Sequence, residues 1–361
     1  MVIREVASWP FVSVVILNYN GKEFLKCCLR SVLDSDYPNF EVIVVDNGST
    51  DSSAEFVKEM FGGDPRLKIL LNHRNLGFAE GNNVGIKVAK GKYIVLLNND
   101  TETSSLWLKE IAKVMESDLT AGACQSKLLL MSDRKTLDSV GAYLSPFGLL
   151  VHKGIGEVDR GQFDNIHEIF TAKGAALTIR REVLEEVGLF DSEFFAYLEE
   201  TDLCWRIWLS GYTVLFVPRS IVYHAWGSTL SKIGPLYARY ILRFHATKNY
   251  IKTLLKNLDT RNVFKILPVH ICIWLGIVLL FILRRRLHDA MFTMKAICWN
   301  LINLKHIWDE RVMVQHHIRR VSDNQIFSRI MRKVALRHLY LRFCADVLLA
   351  KTIKRGKVDY I

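Results

Sequence analysis

A chain of 361 residues, half of them hydrophobic, is long enough for about two domains with a substantial core. Its seven cysteines contain no C-x-x-C pair, and Cys27 and Cys28 are adjacent, which argues against a disulfide scaffold and for free thiols in a reducing compartment. From residue 230 onward 25 Lys and Arg face 7 Asp and Glu, a net of +18; the whole chain is +11, so the front carries −7, and the two regions are expected to meet different partners.

In chain order, the front alternates between the two hydrophobic periods. Met1 to Pro10 carries Arg4 and Glu5 without an apolar core, so no secretory signal is expected there. Val12 to Leu17 is a β-rich run, and Gly21 to Leu33 has helical apolar spacing. Glu41–Asp46 is the next expected strand, Asp51–Phe61 a helix, Leu67–Leu71 a third strand and Ala79–Ala89 a helix. Tyr93–Leu97 follows, too short for a helix and rich in β formers. Such alternation implies a mostly parallel sheet covered on both faces, with a ligand at the carboxyl ends of its strands.

Polar residues collect at those ends. The first strand delivers Asn18, Tyr19, Asn20 and Gly21; the second, Asp46, Asn47, Gly48, Ser49, Thr50 and Asp51. The third delivers Asn72, Arg74 and Asn75, and the fourth Asn98, Asn99 and Asp100. Each cluster alone is ordinary turn chemistry, and Asp100 could simply precede a helix starting near Ser104. Four in succession point to a binding rim, where a lone carboxylate such as Asp100 suits a hard divalent cation. No G-x-G-x-x-G follows the first strand and no G-x-x-x-x-G-K-[ST] occurs, which argues against a dinucleotide site and a P-loop.

Further on, Lys173 to Arg180 is a small-residue stretch before a strand, and Gly174 and Ala175 permit close backbone approach. Glu199, Glu200 and Asp202 open a helix among aromatic residues. They suit its dipole as caps, and equally a general base, because crowded carboxylates raise one another's pKa. His224 ends a strand in Val-Tyr-His-Ala-Trp-Gly.

The runs 12–21 (VSVVILNYNG) and 44–51 (VVDNGSTD) resemble the opening of family 2 glycosyltransferases with the GT-A fold. The runs 72–85 (NHRNLGFAEGNNVG) and 96–101 (LLNNDT) resemble the rhamnosyltransferase-like branch, and 199–206 (EETDLCWR) and His224 are similar to later motifs of that family. The resemblance covers about residues 10 to 230. It implies an α/β GT-A nucleotide-diphospho-sugar transferase fold and a donor site drawn from Asn18, Tyr19, Asn20, Asp46, Asn47, Arg74, Asn75, Gly77, Asn83, Asn98 and Asn99. In it Tyr19 would pack on the base, Asp46 would accept from it, and Arg74 would face the diphosphate or brace the rim. Asp100 and His224 would hold Mg²⁺ or Mn²⁺, although Asn98 stands where the wider fold family has the first acid of Asp-x-Asp. Gly174, Ala175 and Trp226 would lie on the acceptor side. Glu200 would be the base, in place of the commoner Asp, with Glu199 and Asp202 as the other candidates.

The back, residues 231–361, reads as a basic helical region. Pro235–Leu258 has a basic helical pattern; Ile266–Leu283 is an apolar run containing Pro268 and His270 and followed by three arginines. It is at the lower limit for a span, with the arginines toward the cytoplasm; an in-plane helix or a hairpin fits nearly as well, and a buried core helix is the remaining alternative. Arg329–Arg342 adds an amphipathic stretch. The reading is an inverting glycosyltransferase at the cytoplasmic face of the membrane. It would take a dTDP-rhamnose or UDP-sugar donor and a saccharide or lipid-linked acceptor in surface-glycan assembly. The alternative is a nucleotidyltransferase using the basic back to bind nucleic acid. The apolar run speaks against it, so no nucleic-acid partner is expected.

Overall fold

Tyr93–Asn98 does form a strand (β4), and its neighbours follow from the alternation around it. The computed structural model describes residues 8–165, 167–225 and 235–332. The strands β1 (Val12–Asn18), β2 (Phe40–Asp46) and β3 (Leu67–Leu71) lie parallel beside β4 in the order β3-β2-β1-β4. Helices α1 (Lys22–Leu33), α2 (Ser53–Phe61) and α3 (Gly77–Val88) connect them. The strands β1, β2 and β4 are buried nearly along their length because both faces are covered, as apolar runs of Val, Ile and Leu demand, while β3 at the sheet edge is partly exposed.

Successive side chains split between two cores. Val15, Ile43, Val45 and Leu96 face one cluster, while Val14, Ile16, Val44 and Val95 face the other with Leu25, Cys28 and Leu29 of α1. Each fully buried branched residue contributes roughly 1.5–3 kcal/mol, so a one-residue slip in register would be strongly disfavoured.

The sheet continues in mixed sense through β10 (Ala176–Arg180), β6 (Ala121–Leu130), β11 (Thr213–His224) and the short β5 (Thr101–Thr103). β10 runs antiparallel to both β4 and β6, while β11 runs parallel to β6. The strand β7 (Leu137–Ser139) pairs with β6, and β8 (Ala142–Leu144) with β9 (Leu150–His152) forms a separate hairpin. Helix α4 (Trp107–Ser117) covers one face; α5 (Arg181–Val187) and α6 (Glu199–Leu209) lie on the other.

The back half is helical. It comprises α7 (Pro235–Tyr240), a π-turn at Ile241–His245, α8 (Ala246–Asn257), α9 (Thr260–Leu283), α10 (Leu287–Ile302), α11 (Leu304–Met313) and α12 (Asp323–Ile330). The run 266–283 is thus the greater part of one helix that passes through Pro268. Leu254, Leu258, Ile266, Val314, Ile326 and Ile330 join the same core as Val15 and Leu96, so the two halves share packing. The stretch Arg329–Arg342 lies outside the described residues after 332.

The charge division is in part internal pairing. Lys252 of α8 meets Asp191 at 2.7 Å, and Lys256 meets Asp191 at 2.8 Å and Asp202 at 3.2 Å. The six cysteines in the described regions are free thiols.

Candidate functional site

The register sets the carboxyl edge: Asn18 stands opposite Asp46, and Leu17 opposite Asn98. Asn18 Nδ2 donates to Asp46 Oδ2 and to Ser49 Oγ, each at 3.2 Å, and its Oδ1 accepts from Asn99 Nδ2 at 2.6 Å. Asp46 Oδ1 accepts from the Ser49 N–H at 2.9 Å. Asn20 sits in the left-handed region at φ 52° and accepts the Thr50 N–H at 2.7 Å, a conformation that Asn tolerates better than most residues. These bonds stitch the turns after β1, β2 and β4 into one rim. Tyr19 is half-buried on it and Arg74 is exposed, so both can meet a ligand.

Four residues expected at the donor have another use here. Asn47 is 1% exposed; its Nδ2 donates to Asn75 Oδ1 and Gly77 O, each at 3.0 Å. Its Oδ1 accepts from Asn72 Nδ2 at 3.0 Å and the Leu76 N–H at 3.1 Å. Asn75 Oδ1 also accepts the Gly77 N–H at 2.8 Å. Asn83 exchanges two bonds with the Phe190 backbone, at 2.9 and 3.1 Å. Gly77 has φ +80°, and a Cβ there would meet Phe195 O at 2.5 Å. All four hold loops in place: the buried amides of Asn47 and Asn83 spend their hydrogen bonds on the protein, the half-buried Asn75 bonds the same turn, and Gly77 supplies its positive φ. Asn47→Ala is therefore expected to lower stability by about 1–3 kcal/mol by stranding buried partners. Thermal unfolding checks this; an unchanged melting temperature would refute the lock.

At the end of β4 and β11 four charged groups form a line. Ala225 donates its N–H to Asp100 O at 2.9 Å, which fastens the end of β11 to the β4 turn. His224 Nε2 lies 3.3 Å from Asp100 Oδ1, and its Nδ1 lies 2.8 Å from Asp138 Oδ2. Lys173 Nζ lies 2.7 Å from both Asp138 oxygens. Burial pushes His224 down, but its bonds to the two carboxylates outweigh it and raise its pKa. Burial raises Asp138, while the His224 bond and the Lys173 charge more than offset it. A carboxylate oxygen beside an imidazole nitrogen, the other ring nitrogen held by a second carboxylate, is a donor set that fits a divalent cation. Asn98 Nδ2 lies 3.5 Å from His224 Nε2.

The acidic helix faces this line from a strained approach. Phe195, Tyr197 and Leu198 all have positive φ, at 55°, 69° and 69°. Such residues cost on the order of 1–3 kcal/mol each and persist only when their surroundings hold them. Asn249 of α8 does so: its Nδ2 is shared among the carbonyls of Phe194, Ala196 and Tyr197 at 2.9, 2.9 and 2.7 Å. Glu199 and Glu200 follow, each with a buried Oε2 that no protein group bonds among the described residues.

Burial, then the charge of Glu200, raises the pKa of Glu199 well above the ordinary range. Burial brings Glu200 to about 7, moderated by its own backbone N–H and by Lys173. Asp202 differs: it is fully buried, bound by Arg206 at 3.0 Å, Lys256 at 3.2 Å and Asn257 Nδ2 at 2.9 Å. Burial opposes its ionisation, but the Lys256 and Arg206 charges prevail and lower its pKa. With these partners Asp202 is a structural counter-ion and not a candidate base.

On the side expected for an acceptor, a Cβ on Gly174 would meet Phe78 at 2.9 Å, and Ala175 O accepts the Asn98 N–H at 3.1 Å. These two residues bring β10 against the end of β4. Trp226 lies outside the described residues. Sequence reasoning missed Asp138 and Asn249. Asp138 sits in a three-residue strand with no periodicity to mark it. Asn249 had a signal, because Lys248, Lys252 and Lys256 recur every four residues on a helix that otherwise reads as amphipathic and soluble.

Residues 13–188 match the family model "Glycosyl transferase family 2". An uncharacterized glycosyltransferase of Haemophilus influenzae is 30% identical over 126 residues, 35% of this chain and 39% of that protein. Glycosyltransferase AglE of Haloferax volcanii is 26% identical over 266 residues, 71% of this chain and 78% of that one. Among solved structures, S. aureus TarS 1-349 in complex with UDP-GlcNAc has a TM-score of 0.54 at 17% identity, covering 85% of this chain and 86% of that one. Mannosyltransferase PcManGT of Pyrobaculum calidifontis, with GDP-Man and Mn²⁺, has a TM-score of 0.52 at 17% identity and covers 86% of each. The chain spans 24% and 39% of the length of two of the curated relatives it matches. The fold is the α/β GT-A fold, a mixed sheet with helices on both faces. Residues 13–188 form a glycosyl transferase family 2 domain.

Proposed function

We propose that this protein is an inverting glycosyltransferase that moves a sugar from a nucleotide-diphosphate donor to a hydroxyl of a saccharide acceptor. The observation that carries the reading is Glu200: a carboxyl that burial brings to about 7, with a buried oxygen that no described protein group bonds, close enough to Lys173 to feel its charge. A group poised near the working pH is the most useful general base. In this reading Glu200 takes the acceptor proton as the hydroxyl attacks the anomeric carbon from the face opposite the diphosphate.

Tyr19, Arg74 and Asp46 remain the donor contacts, and Asp100 with His224 would hold Mg²⁺ or Mn²⁺. When bound, the ion supplies Lewis-acid neutralisation of charge on the departing nucleoside diphosphate. Support for a nucleotide-sugar and a metal comes from PcManGT, solved with GDP-Man and Mn²⁺, and from TarS, solved with UDP-GlcNAc. A dTDP-rhamnose or UDP-sugar donor, a lipid-linked acceptor in surface-glycan assembly, and work at the cytoplasmic face of the membrane complete the proposal.

The pH dependence tests the base. Turnover should fall tenfold per unit as pH drops below about 7 and level off above it. The stability sign is opposite. The folded-state pKa of Glu200 is raised from 4.5, so its contribution favours folding below about 4.5 and is lost as pH rises through 7. Glu200→Gln should thus melt higher than the wild type at about pH 8 and equally at about pH 4. A pH-independent difference would contradict the perturbed carboxyl.

A further inference from the structure

The back half carries a surface that the transfer reaction does not use. Helix α9 is long and apolar enough to cross a membrane by length and composition. One stripe of it is committed to the protein, however. Ile266 packs over Gly148, His270 Nδ1 donates to Phe147 O at 3.0 Å, and Trp274 Nε1 donates to His270 Nε2 at 2.9 Å. Phe281 is fully buried, with the Arg243 and Arg286 guanidinium groups over its ring at 5.2 and 5.1 Å. The start of α9 docks on the catalytic half at Phe147 and Gly148 and the rest of this stripe packs on α8 and α10, so lipid can reach the helix on its other side alone.

The opposite stripe is bare. Phe264, Leu279 and Leu283 lie on it at helical spacing, Phe264 77% and Leu283 72% exposed. Helices α10 and α11 repeat the pattern. Both pack inward on α8, and outward they show Met291, Leu301, Ile302, Trp308 and Met313, with Ile302 81% exposed. Because α9 packs on α10 and α10 on α11, the stripes adjoin. Soluble monomers rarely leave so extended an apolar face to water.

The charges on this face choose its occupant. Arg261, Lys265, Arg284, Arg285, Lys295 and Lys305 are exposed among the apolar residues of α9–α11 and their connection, against exposed Asp309. A second copy of the chain would set these cations against one another. An anionic bilayer offers an apolar interior and a negative surface together, the pairing that in-plane helices with basic borders recognise. We infer that α9, α10 and α11 form a monotopic docking face that lies in the plane of an anionic membrane, with α9 not spanning it. The inference does not depend on the transfer chemistry. It also sets α8, whose Asn249 holds the strained approach to Glu199 and Glu200, directly behind the membrane-facing layer.

The test is sedimentation of the full chain with unilamellar vesicles of phosphatidylcholine alone and of phosphatidylcholine with phosphatidylglycerol. Binding to the anionic vesicles should exceed binding to the neutral ones at least about tenfold and weaken with salt. Leu283→Glu with Ile302→Glu should abolish binding to both. Arg284→Glu with Arg285→Glu should remove only the anionic preference. All four side chains are exposed, and unchanged melting of the variants confirms folding. Native membranes washed with alkaline carbonate should release the protein. Retention after that wash would overturn the in-plane arrangement in favour of a span. Failure to bind either vesicle, including the case of a stable dimer that covers the face, would overturn the docking itself.

Discussion

Glu200→Gln should lower kcat by at least about a hundredfold with little change in donor affinity. The amide has nearly the same shape but cannot take the acceptor proton, and general-base catalysis is typically worth about 10²–10⁴-fold. The neighbours serve as controls with distinct signatures. Glu199→Gln should change turnover less, because burial and the charge of Glu200 both disfavour its ionised form. Asp202→Asn should act on stability first, since it leaves Lys256 and Arg206 with a neutral partner inside the protein. Stopped turnover in a well-folded Asp202→Asn protein, with Glu200→Gln active, would place the base two positions away. Activity in all three would reduce the helix start to a cap and send the search for the proton acceptor to His224.

The second large effect is expected at Asp100. Asp100→Ala should remove metal-dependent nucleotide binding and lower transfer by about two to three orders of magnitude, the scale of losing several kcal/mol of charge stabilisation. His224 would lose its partner at 3.3 Å while keeping Asp138 at 2.8 Å, so the end of β11 should stay in place. Calorimetric titration of Mn²⁺ with a nucleoside diphosphate separates the roles: loss of metal-coupled binding in a protein of normal melting temperature fits a ligand. Near-wild-type turnover by the purified variant would remove Asp100 from the site.

The front of the fold was legible because two signals agreed there. Apolar runs of five to seven residues ended in Asn, Asp and Gly, and the expected strand and helix bounds fall within a residue or two of the observed ones. The clusters at the ends were legible as a rim, but not which members face outward. Asn47 and Asn83 look like ligand contacts in the sequence, yet burial turns them into loop locks; hydrogen-bond satisfaction is a property of the packed protein and not of spacing. Asp202 misled for the same reason, since its partners Lys256 and Asn257 lie more than fifty residues away in a half expected to be separate. The basic charge of the back was read as a surface for other molecules. Some of it is spent inside, on Asp191 and Asp202, while the exposed remainder borders an apolar face that helical periodicity on α9 alone did not divide into an inner and an outer stripe.

The most direct measurement of the central claim is thermal unfolding against a panel of nucleotide-sugars with Mn²⁺ present. A ligand that binds only the folded state at about a hundred times its Kd stabilises by about 2.7 kcal/mol, a rise of about 3–4 °C for a chain of this size. One nucleotide class, dTDP- or UDP-linked in this reading, should raise the melting temperature by that amount, and chelation of the metal should abolish the rise. A panel in which no nucleotide-sugar shifts the transition, with or without Mn²⁺, would contradict the assignment of the rim as a donor site.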